Sequence, residues 1–80
     1  MKSLRTADHF RLTTSLVAAR DKAGLTQQQL ADRLGKPQSF VAKYEGGERR
    51  LDVIEFIAIA HALGCDAARM IRELAAKYRP

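Results

Sequence analysis

Apolar residues recur along the chain at the spacing of an α-helix. The first segment places four of them at positions i, i+4, i+7 and i+11: Leu12, Leu16, Ala19 and Ala23. This spacing predicts a helix over residues 7–23, which Gly24 ends. No alternating run of apolar and polar residues bounded by hairpin turns occurs, so the pattern predicts helices and no strands.

The next two predicted helices are short. Thr26 followed by Gln29 forms a capping box, in which each side chain satisfies a backbone N–H group at the start of a helix. Gly35 ends this second helix. Pro37 suits the first turn of a third helix, because its missing N–H group would have no partner there. The two glycines at 46–47 end the third helix.

Two more helices complete the pattern. Asp52 and Glu55 repeat the capping box before a fourth helix, whose body VIEFIAIAHAL is apolar on nearly every side. Such a helix is expected to be enclosed by the others. Asp66 is the predicted N-cap of a C-terminal helix over residues 66–78, and residues 77–80 are expected to fray.

Composition narrows the class of protein. Eighty residues that are 46% hydrophobic predict one compact domain over residues 1–80, and the helical spacing makes it an all-α domain of five helices. The 14 Lys and Arg residues exceed the 9 Asp and Glu residues, which favours a polyanionic partner. No apolar run reaches the roughly 18 residues of a membrane span. We therefore expect a cytoplasmic protein without a membrane partner, and the single Cys65 agrees with a reducing compartment.

The sequence offers little support for catalysis or metal binding. His9 and His61 have no His or Cys partner at metal-ligand spacing. Neither the serines nor the single cysteine belongs to a recognisable pair of nucleophile and base, and there is no glycine-rich phosphate loop. We therefore expect no metal, no cofactor and no catalytic residue.

Residues 26–45 meet the requirements of a helix-turn-helix. When Gln27 is counted as the first position, Ala31 falls at the fifth, where a larger side chain would push the two helices apart. Gly35 falls at the ninth, where the turn needs a left-handed backbone that glycine adopts without strain. The remaining inward positions are apolar: Leu30, Leu34, Val41 and Tyr44. In such a unit the second helix enters the DNA major groove and the first crosses the backbone.

These motifs are shared with a known family. Residues 12–75 resemble the Cro/C1-type (Xre-type) helix-turn-helix repressors, of which the phage lambda repressor is an example. The most specific motifs are LTQxxLA, FVxKYE and GERRLD. The resemblance implies a lambda repressor-like domain that binds double-stranded operator DNA as a homodimer and regulates transcription, often as a repressor.

The resemblance also implies roles for individual residues. On the recognition helix, residues 37–45, it implies that Gln38, Ser39 and Lys43 read bases. Glutamine can bond to adenine N6 and N7, and lysine can donate to guanine O6 and N7. Contacts with the DNA backbone are expected for five residues. The resemblance implies them for Gln27, Arg49 and Arg50, and the positions of Thr26 and Lys36 at helix starts suggest them for these two residues.

Several positions have alternative interpretations. Phe40 either touches a thymine methyl group or packs between helices, and Arg49 is either a phosphate contact or a free surface charge. Lys36 stands at a predicted N-cap, where lysine is unusual, and a phosphate contact would explain it there. Residues 1–6 are predicted to form a flexible arm, with Lys2 and Arg5 available to DNA.

Arg20 and Glu45 occupy the places of a family ion pair. In the family an arginine of the first helix is commonly tied to a glutamate at the end of the recognition helix. We therefore predict an ion pair between these two residues that fixes the recognition helix against the rest of the domain.

The candidate dimer surface combines the exposed edge of the fourth helix with one stripe of the C-terminal helix. The stripe consists of Met70, Ile71, Leu74 and Tyr78, which alternatively complete the core of the monomer. The same stripe supports a second hypothesis for function. In that hypothesis the chain is an antitoxin or adaptor-type module that binds an unknown protein, with or without operator DNA.

Overall fold

The computed structural model describes residues 6–78. The helices are α1 (Ala7–Lys22), α2 (Gln27–Leu34), α3 (Gln38–Glu45), α4 (Val53–Ala62) and α5 (Ala67–Ala75), and a 3-10 turn (Ala76–Tyr78) follows α5. The predicted all-α fold of five helices is confirmed. None of the helices between residues 6 and 78 is long and apolar enough to cross a bilayer.

The predicted capping boxes start α2 and α4. Thr26 Oγ1 accepts from the Gln29 backbone N–H at 3.0 Å, and Gln29 Oε1 accepts from the Thr26 N–H at 2.9 Å. Asp52 and Glu55 exchange the same two bonds at 2.7 and 2.9 Å. Each box satisfies two of the N–H groups that a helix start leaves without partners inside the helix.

Gly35 makes the turn between α2 and α3. Its φ of 68° and ψ of 31° place it in the left-handed region. A Cβ atom built on Gly35 would have open space around it, so the backbone angle and not crowding explains the glycine. Ala31, whose side chain is fully buried, lies one turn earlier. The predicted helix-turn-helix geometry is therefore present.

The core lies where the first four helices meet. Its largest fully buried side chains come from α1, α2, α3 and α4: Leu16, Leu30, Val41, Tyr44 and Ile59. Two of these residues lie on α3, so the recognition helix is held by its buried side against the rest of the domain. The Tyr44 hydroxyl has no hydrogen-bond partner among residues 6–78, and burial raises the pKa of this phenol.

The prediction that the fourth helix is enclosed is wrong. The α4 helix buries Phe56, Ile59 and Ala60. Its opposite side is open to solvent, with Val53, Ile54 and Ile57 exposed by 66%, 74% and 47%. A mostly apolar sequence does not determine how many neighbouring helices cover a helix. Here the neighbouring helices cover one side only.

The start of the recognition helix also differs from the prediction. Pro37 is the N-cap and the helix begins at Gln38. The Pro37 φ of −70° fits both a helix and an extended chain, but its ψ of 154° is extended. Lys36 therefore precedes the cap, and the prediction that it occupies the N-cap is wrong.

The two ends of the described chain are more ordered than predicted. Thr6 accepts from the His9 backbone N–H and caps α1, so it does not belong to a flexible arm; residues 1–5 lie outside the described residues. At the other end, Lys77 and Tyr78 were expected to fray, as were residues 79–80, which are also outside the described part. Instead, Lys77 Nζ and the Tyr78 hydroxyl donate to Asp8 at 2.8 and 2.6 Å.

Candidate nucleic-acid interface

The recognition helix α3 has two chemically different sides. Gln38, Ser39 and Lys43 are all exposed. At 100° per residue they lie within an arc of about 140°. Val41 and Tyr44 point away from that arc and are fully buried. The core therefore fixes α3 while it leaves a row of hydrogen-bonding side chains open to an external partner.

The N-terminus of α2 lies beside this row. Its capping box uses the backbone N–H groups of Thr26 and Gln29, so those of Gln27 and Gln28 are the donors left at the helix start. The positive end of the helix dipole is at the same place. Such a helix start is suited to an anion such as a DNA phosphate.

Side-chain hydrogen bonds join α2 to α3. Gln27 Nε2 donates to Glu45 Oε1 at 2.9 Å, and Gln38 Nε2 donates to Gln27 Oε1 at 2.6 Å. Gln27 was predicted as a phosphate contact only. In the structure Gln27 connects a candidate base-reading residue, Gln38, to a carboxylate at the other end of α3.

The ion pair predicted between Arg20 and Glu45 is present. Arg20 Nε donates to Glu45 Oε2 at 2.7 Å, and Arg20 Nη2 donates to Oε1 at 3.1 Å. The two side chains are only 13% and 7% exposed. Arg20 Nη1 also donates to the Leu25 carbonyl at 2.8 Å. The hydrogen bonds to Glu45 raise the pKa of Arg20. This pair ties the end of α3 to α1 and to the loop before α2.

A second ion pair holds Arg49. Its Nη2 and Nη1 donate to the two carboxylate oxygens of Glu55 at 2.6 and 3.0 Å. The hydrogen bonds from Arg49, followed by the one from the Asp52 backbone, lower the pKa of Glu55 to about 2. The guanidinium of Arg49 is therefore already neutralised by a carboxylate, whereas the sequence suggested a phosphate contact or a free charge.

Phe40 packs between helices. Its ring is half-buried against the core and meets the Tyr44 ring edge to face, with centroids 5.6 Å apart. The Arg49 guanidinium lies 4.8 Å from the Phe40 centroid, and Lys36 Nζ lies 5.6 Å from it. These contacts match the packing interpretation of Phe40, with additional cation–π attraction from Lys36 and Arg49.

The helix-turn-helix and its neighbouring helices match a known protein family. The helix-turn-helix family model matches residues 16–70, which include α2, α3 and α4. The chain belongs to the Cro/C1-type helix-turn-helix family. This family consists of DNA-binding transcription regulators and is not an enzyme family. The protein is therefore a DNA-binding transcription regulator.

Solved structures of other proteins share this fold. An XRE-family like protein from Pseudomonas syringae pv. tomato is 46% identical, with a TM-score of 0.86 over 91% of this chain and 89% of that one. The restriction-modification controller protein C.AhdI from Aeromonas hydrophila is 31% identical, with a TM-score of 0.72 over 85% and 93% of the two chains. The clp gene regulator ClgR from Corynebacterium glutamicum, 22% identical with a TM-score of 0.76 over 89% and 91%, shares the fold. No curated protein matches the sequence significantly.

The predicted site residues of this Cro/C1-type domain do not form one cluster. Gln38, Ser39 and Lys43 lie on α3, next to the α2 start with Thr26 and Gln27. Three predicted backbone contacts lie elsewhere: Lys36 is beside Phe40, Arg49 lies between Phe40 and Glu55, and Arg50 lines a groove with residues of α1 and α5. No group of three potential metal ligands occurs within residues 6–78.

Sequence reasoning missed two contacts of this site. Glu55 was interpreted only as a capping residue, although the same carboxylate also binds Arg49. Glu45 was matched to Arg20, but its bond to Gln27 spans 18 residues. Neither contact has a local sequence signal, since each depends on how two elements are placed in space.

Proposed function

We propose that the protein represses transcription by binding a palindromic operator as a homodimer, with α3 in the major groove. The observation that carries this proposal is the exposed row of Gln38, Ser39 and Lys43 on a helix whose opposite side is buried. A helix held in this way can present its polar side to base edges without rearrangement of the core.

The chemistry of the row suggests how sequence is read. Gln38 can bond to adenine, Lys43 can donate to guanine, and Ser39 can bond to either. The backbone N–H groups at the start of α2, with the Gln27 side chain, would hold a phosphate. Lys36 and Arg50 would add sequence-independent attraction. Arg49 is the weakest member of the predicted set because Glu55 already binds its guanidinium.

The exposed apolar side of α4 is the surface we assign to the homodimer. Val53, Ile54 and Ile57 together make an apolar patch that is unusual for a surface facing water. Two copies related by a two-fold axis would cover it with the same patch. The α5 stripe contributes less, because Met70 packs against the core and Leu74 lines the groove between α1 and α5. Ile71 and Tyr78 remain exposed.

The second candidate function is an antitoxin or adaptor that uses the α4 patch to bind a different protein. The patch fits this alternative as well as it fits the homodimer, since an apolar helix side does not specify whether its cover is another copy or another protein. The exposed row on α3 favours DNA binding, because a module that binds only protein has no need of it.

Selection of binding sites from random duplex DNA tests the proposal. We expect a palindrome whose half-sites are about one helical turn, roughly 34 to 36 Å, apart. The triple variant Gln38→Ala/Ser39→Ala/Lys43→Ala should lose sequence preference. Lys22→Ala, which removes an exposed charge beside the start of α5, is the control and should select the parent's site. The proposal would be contradicted if the parent bound DNA without sequence preference, or if the triple variant selected the same sequence as the parent.

The homodimer has its own test. Ile54→Lys places a charge in the middle of the α4 patch, so sedimentation equilibrium should show a monomer for this variant where the parent is a dimer. Thr14→Lys adds the same charge to an exposed position of α1 and should leave the dimer intact. A parent that is monomeric both free and on DNA would instead favour the adaptor function.

A further inference from the structure

A chain of hydrogen bonds runs from the scaffold to the candidate base-reading residue. Arg20 donates to Glu45, Gln27 donates to the same carboxylate oxygen at 2.9 Å, and Gln38 donates to Gln27 at 2.6 Å. Glu45 lies at the end of α3 and its side chain is 7% exposed. Gln38 lies at the start of α3 and is exposed. The chain therefore connects a buried charge to the surface row.

The carboxylate gives this chain a direction. An ionised carboxylate only accepts hydrogen bonds, whereas an amide side chain has one acceptor oxygen and two N–H donors. Gln27 must therefore turn its NH₂ group towards Glu45 and its oxygen towards Gln38. Gln38 must in turn give one N–H to Gln27. One N–H of Gln38 and its oxygen are then left for an external partner.

The groups left on Gln38 match one purine and not the other. In the major groove adenine presents one acceptor, N7, and one donor, the N6 amino group. Guanine presents two acceptors, N7 and O6. A side chain with one donor and one acceptor can bond to both adenine groups but to only one of the guanine acceptors.

We propose that Glu45 is a positioning residue for base recognition, which sets the direction of the hydrogen bonds through Gln27 so that Gln38 selects adenine over guanine. This role rests on the proposed function, in which α3 lies in the major groove. It is additional to the mechanical role of the ion pair, because it depends on the fact that both Glu45 oxygens only accept hydrogen bonds and not only on the attraction of Glu45 to Arg20.

Glu45→Gln should reverse the direction of the hydrogen bonds that run through Gln27 to Gln38. Arg20 carries donors only, so the new amide would turn its oxygen towards Arg20 and its NH₂ group towards Gln27. Gln27 would then have to accept from residue 45 and donate to the oxygen of Gln38. Both N–H groups of Gln38 would face the DNA, which is the arrangement that guanine matches.

The experiment compares two operators that differ by A against G at one base pair in each half-site. That base pair is identified as the one whose preference is lost in Gln38→Ala. The ratio of the two dissociation constants is measured for the parent and the variants. The parent should prefer adenine, and Glu45→Gln should lower the adenine preference by about tenfold, within the discrimination that one bidentate contact provides.

Arg20→Gln is the matched control. It breaks the same ion pair but leaves the Glu45 carboxylate to accept from Gln27, so the affinity for both operators should fall together while the ratio of the two dissociation constants stays within about twofold of the parent's. Gln27→Ala is a second variant that keeps the ion pair and therefore does not depend on the folding of Glu45→Gln. It frees both N–H groups of Gln38 and should also lower the preference, whatever it does to the affinity for both operators.

The outcomes separate this inference from the proposed function. If the parent selects no DNA sequence, the proposed function fails. If the parent selects an operator but Gln38→Ala changes no base preference, or the parent prefers guanine at that base pair, the inference alone is overturned. The same holds if Glu45→Gln and Gln27→Ala keep the parent's ratio, or if Arg20→Gln lowers it as much as Glu45→Gln does.

Discussion

Two arginine–glutamate pairs contact the recognition helix, one through Glu45 and one through Phe40, and they differ in burial. The side chains of Arg20 and Glu45 are 13% and 7% exposed, and those of Arg49 and Glu55 are 40% and 20% exposed. Both pairs hold an arginine with two hydrogen bonds to one carboxylate. We call Arg20–Glu45 the inner pair and Arg49–Glu55 the outer pair. The two pairs are expected to contribute differently to the free energy of unfolding, because water screens the outer pair and hardly reaches the inner one.

The pairs also act on different elements. The inner pair joins α1 to the end of α3 and is continuous with the Gln27 contact. The outer pair joins the loop after α3 to the first turn of α4, and its arginine covers Phe40. We conclude that the inner pair fixes the angle of the recognition helix, while the outer pair fixes the loop that follows it.

The largest expected effect concerns the inner pair. Arg20→Met keeps much of the aliphatic packing but leaves a nearly buried carboxylate without its cation. We expect a loss of about 2 to 3 kcal/mol in the free energy of unfolding, slightly below the range for breaking a fully buried pair. Urea denaturation measures this. Arg69→Met, which breaks a pair whose side chains are 71% and 66% exposed, is the control and should change stability little. Equal losses of stability in the two variants would show that the buried pair contributes no more than an exposed one.

A smaller effect, with a characteristic pH dependence, is expected for the outer pair. The pKa of Glu55 is lowered from 4.5 to about 2, so this carboxylate stabilises the fold above pH 4.5 and loses that contribution as the pH falls towards 2. Arg49→Met should therefore lower the melting temperature at neutral pH, by less than Arg20→Met. The difference from the parent should shrink between pH 4.5 and 2. A difference that stays constant over this range would show that packing on Phe40, and not charge, accounts for the loss.

The smallest effect concerns the two adjacent arginines on DNA. Because Glu55 neutralises Arg49, we expect Arg49→Ala to leave the salt dependence of operator binding nearly unchanged. Arg50→Ala should reduce the slope of log K against log salt by about one unit and weaken all sequences alike. Titrations at several salt concentrations measure both slopes. Equal reductions would mean that Arg49 leaves Glu55 for a phosphate when DNA binds.

Much of this fold is predictable from local sequence. The start of α2 needs only Thr26 and Gln29, and the turn needs a left-handed residue at Gly35, so a few positions determine each feature. The inner pair was predictable through the family resemblance, which supplies a contact between residues 25 positions apart. Helix count and order followed from apolar spacing.

The remaining features depend on how the elements are arranged in three dimensions. Apart from Glu55 and His61 the sequence of α4 is apolar, and only the packed structure shows that Ile54 and Ile57 face outwards. Glu55 has the right spacing for a capping box whether or not an arginine is near, so its bond to Arg49 could not be inferred. Likewise, the Gln27 contact with Glu45 exists only because α2 and α3 meet at a particular angle.

The buried phenol of Tyr44 gives the protein a built-in optical signal. The chain has no tryptophan and two tyrosines. Burial keeps the Tyr44 hydroxyl protonated above its ordinary pKa of 10, whereas the unfolded chain ionises there. Stability from this group is therefore complete below pH 10 and declines as the pH rises above it. In the variant Tyr78→Phe, Tyr44 is the one tyrosine left, so the ultraviolet absorbance of tyrosinate would appear only as the core opens. The absorbance measured during an alkaline titration would then report unfolding directly.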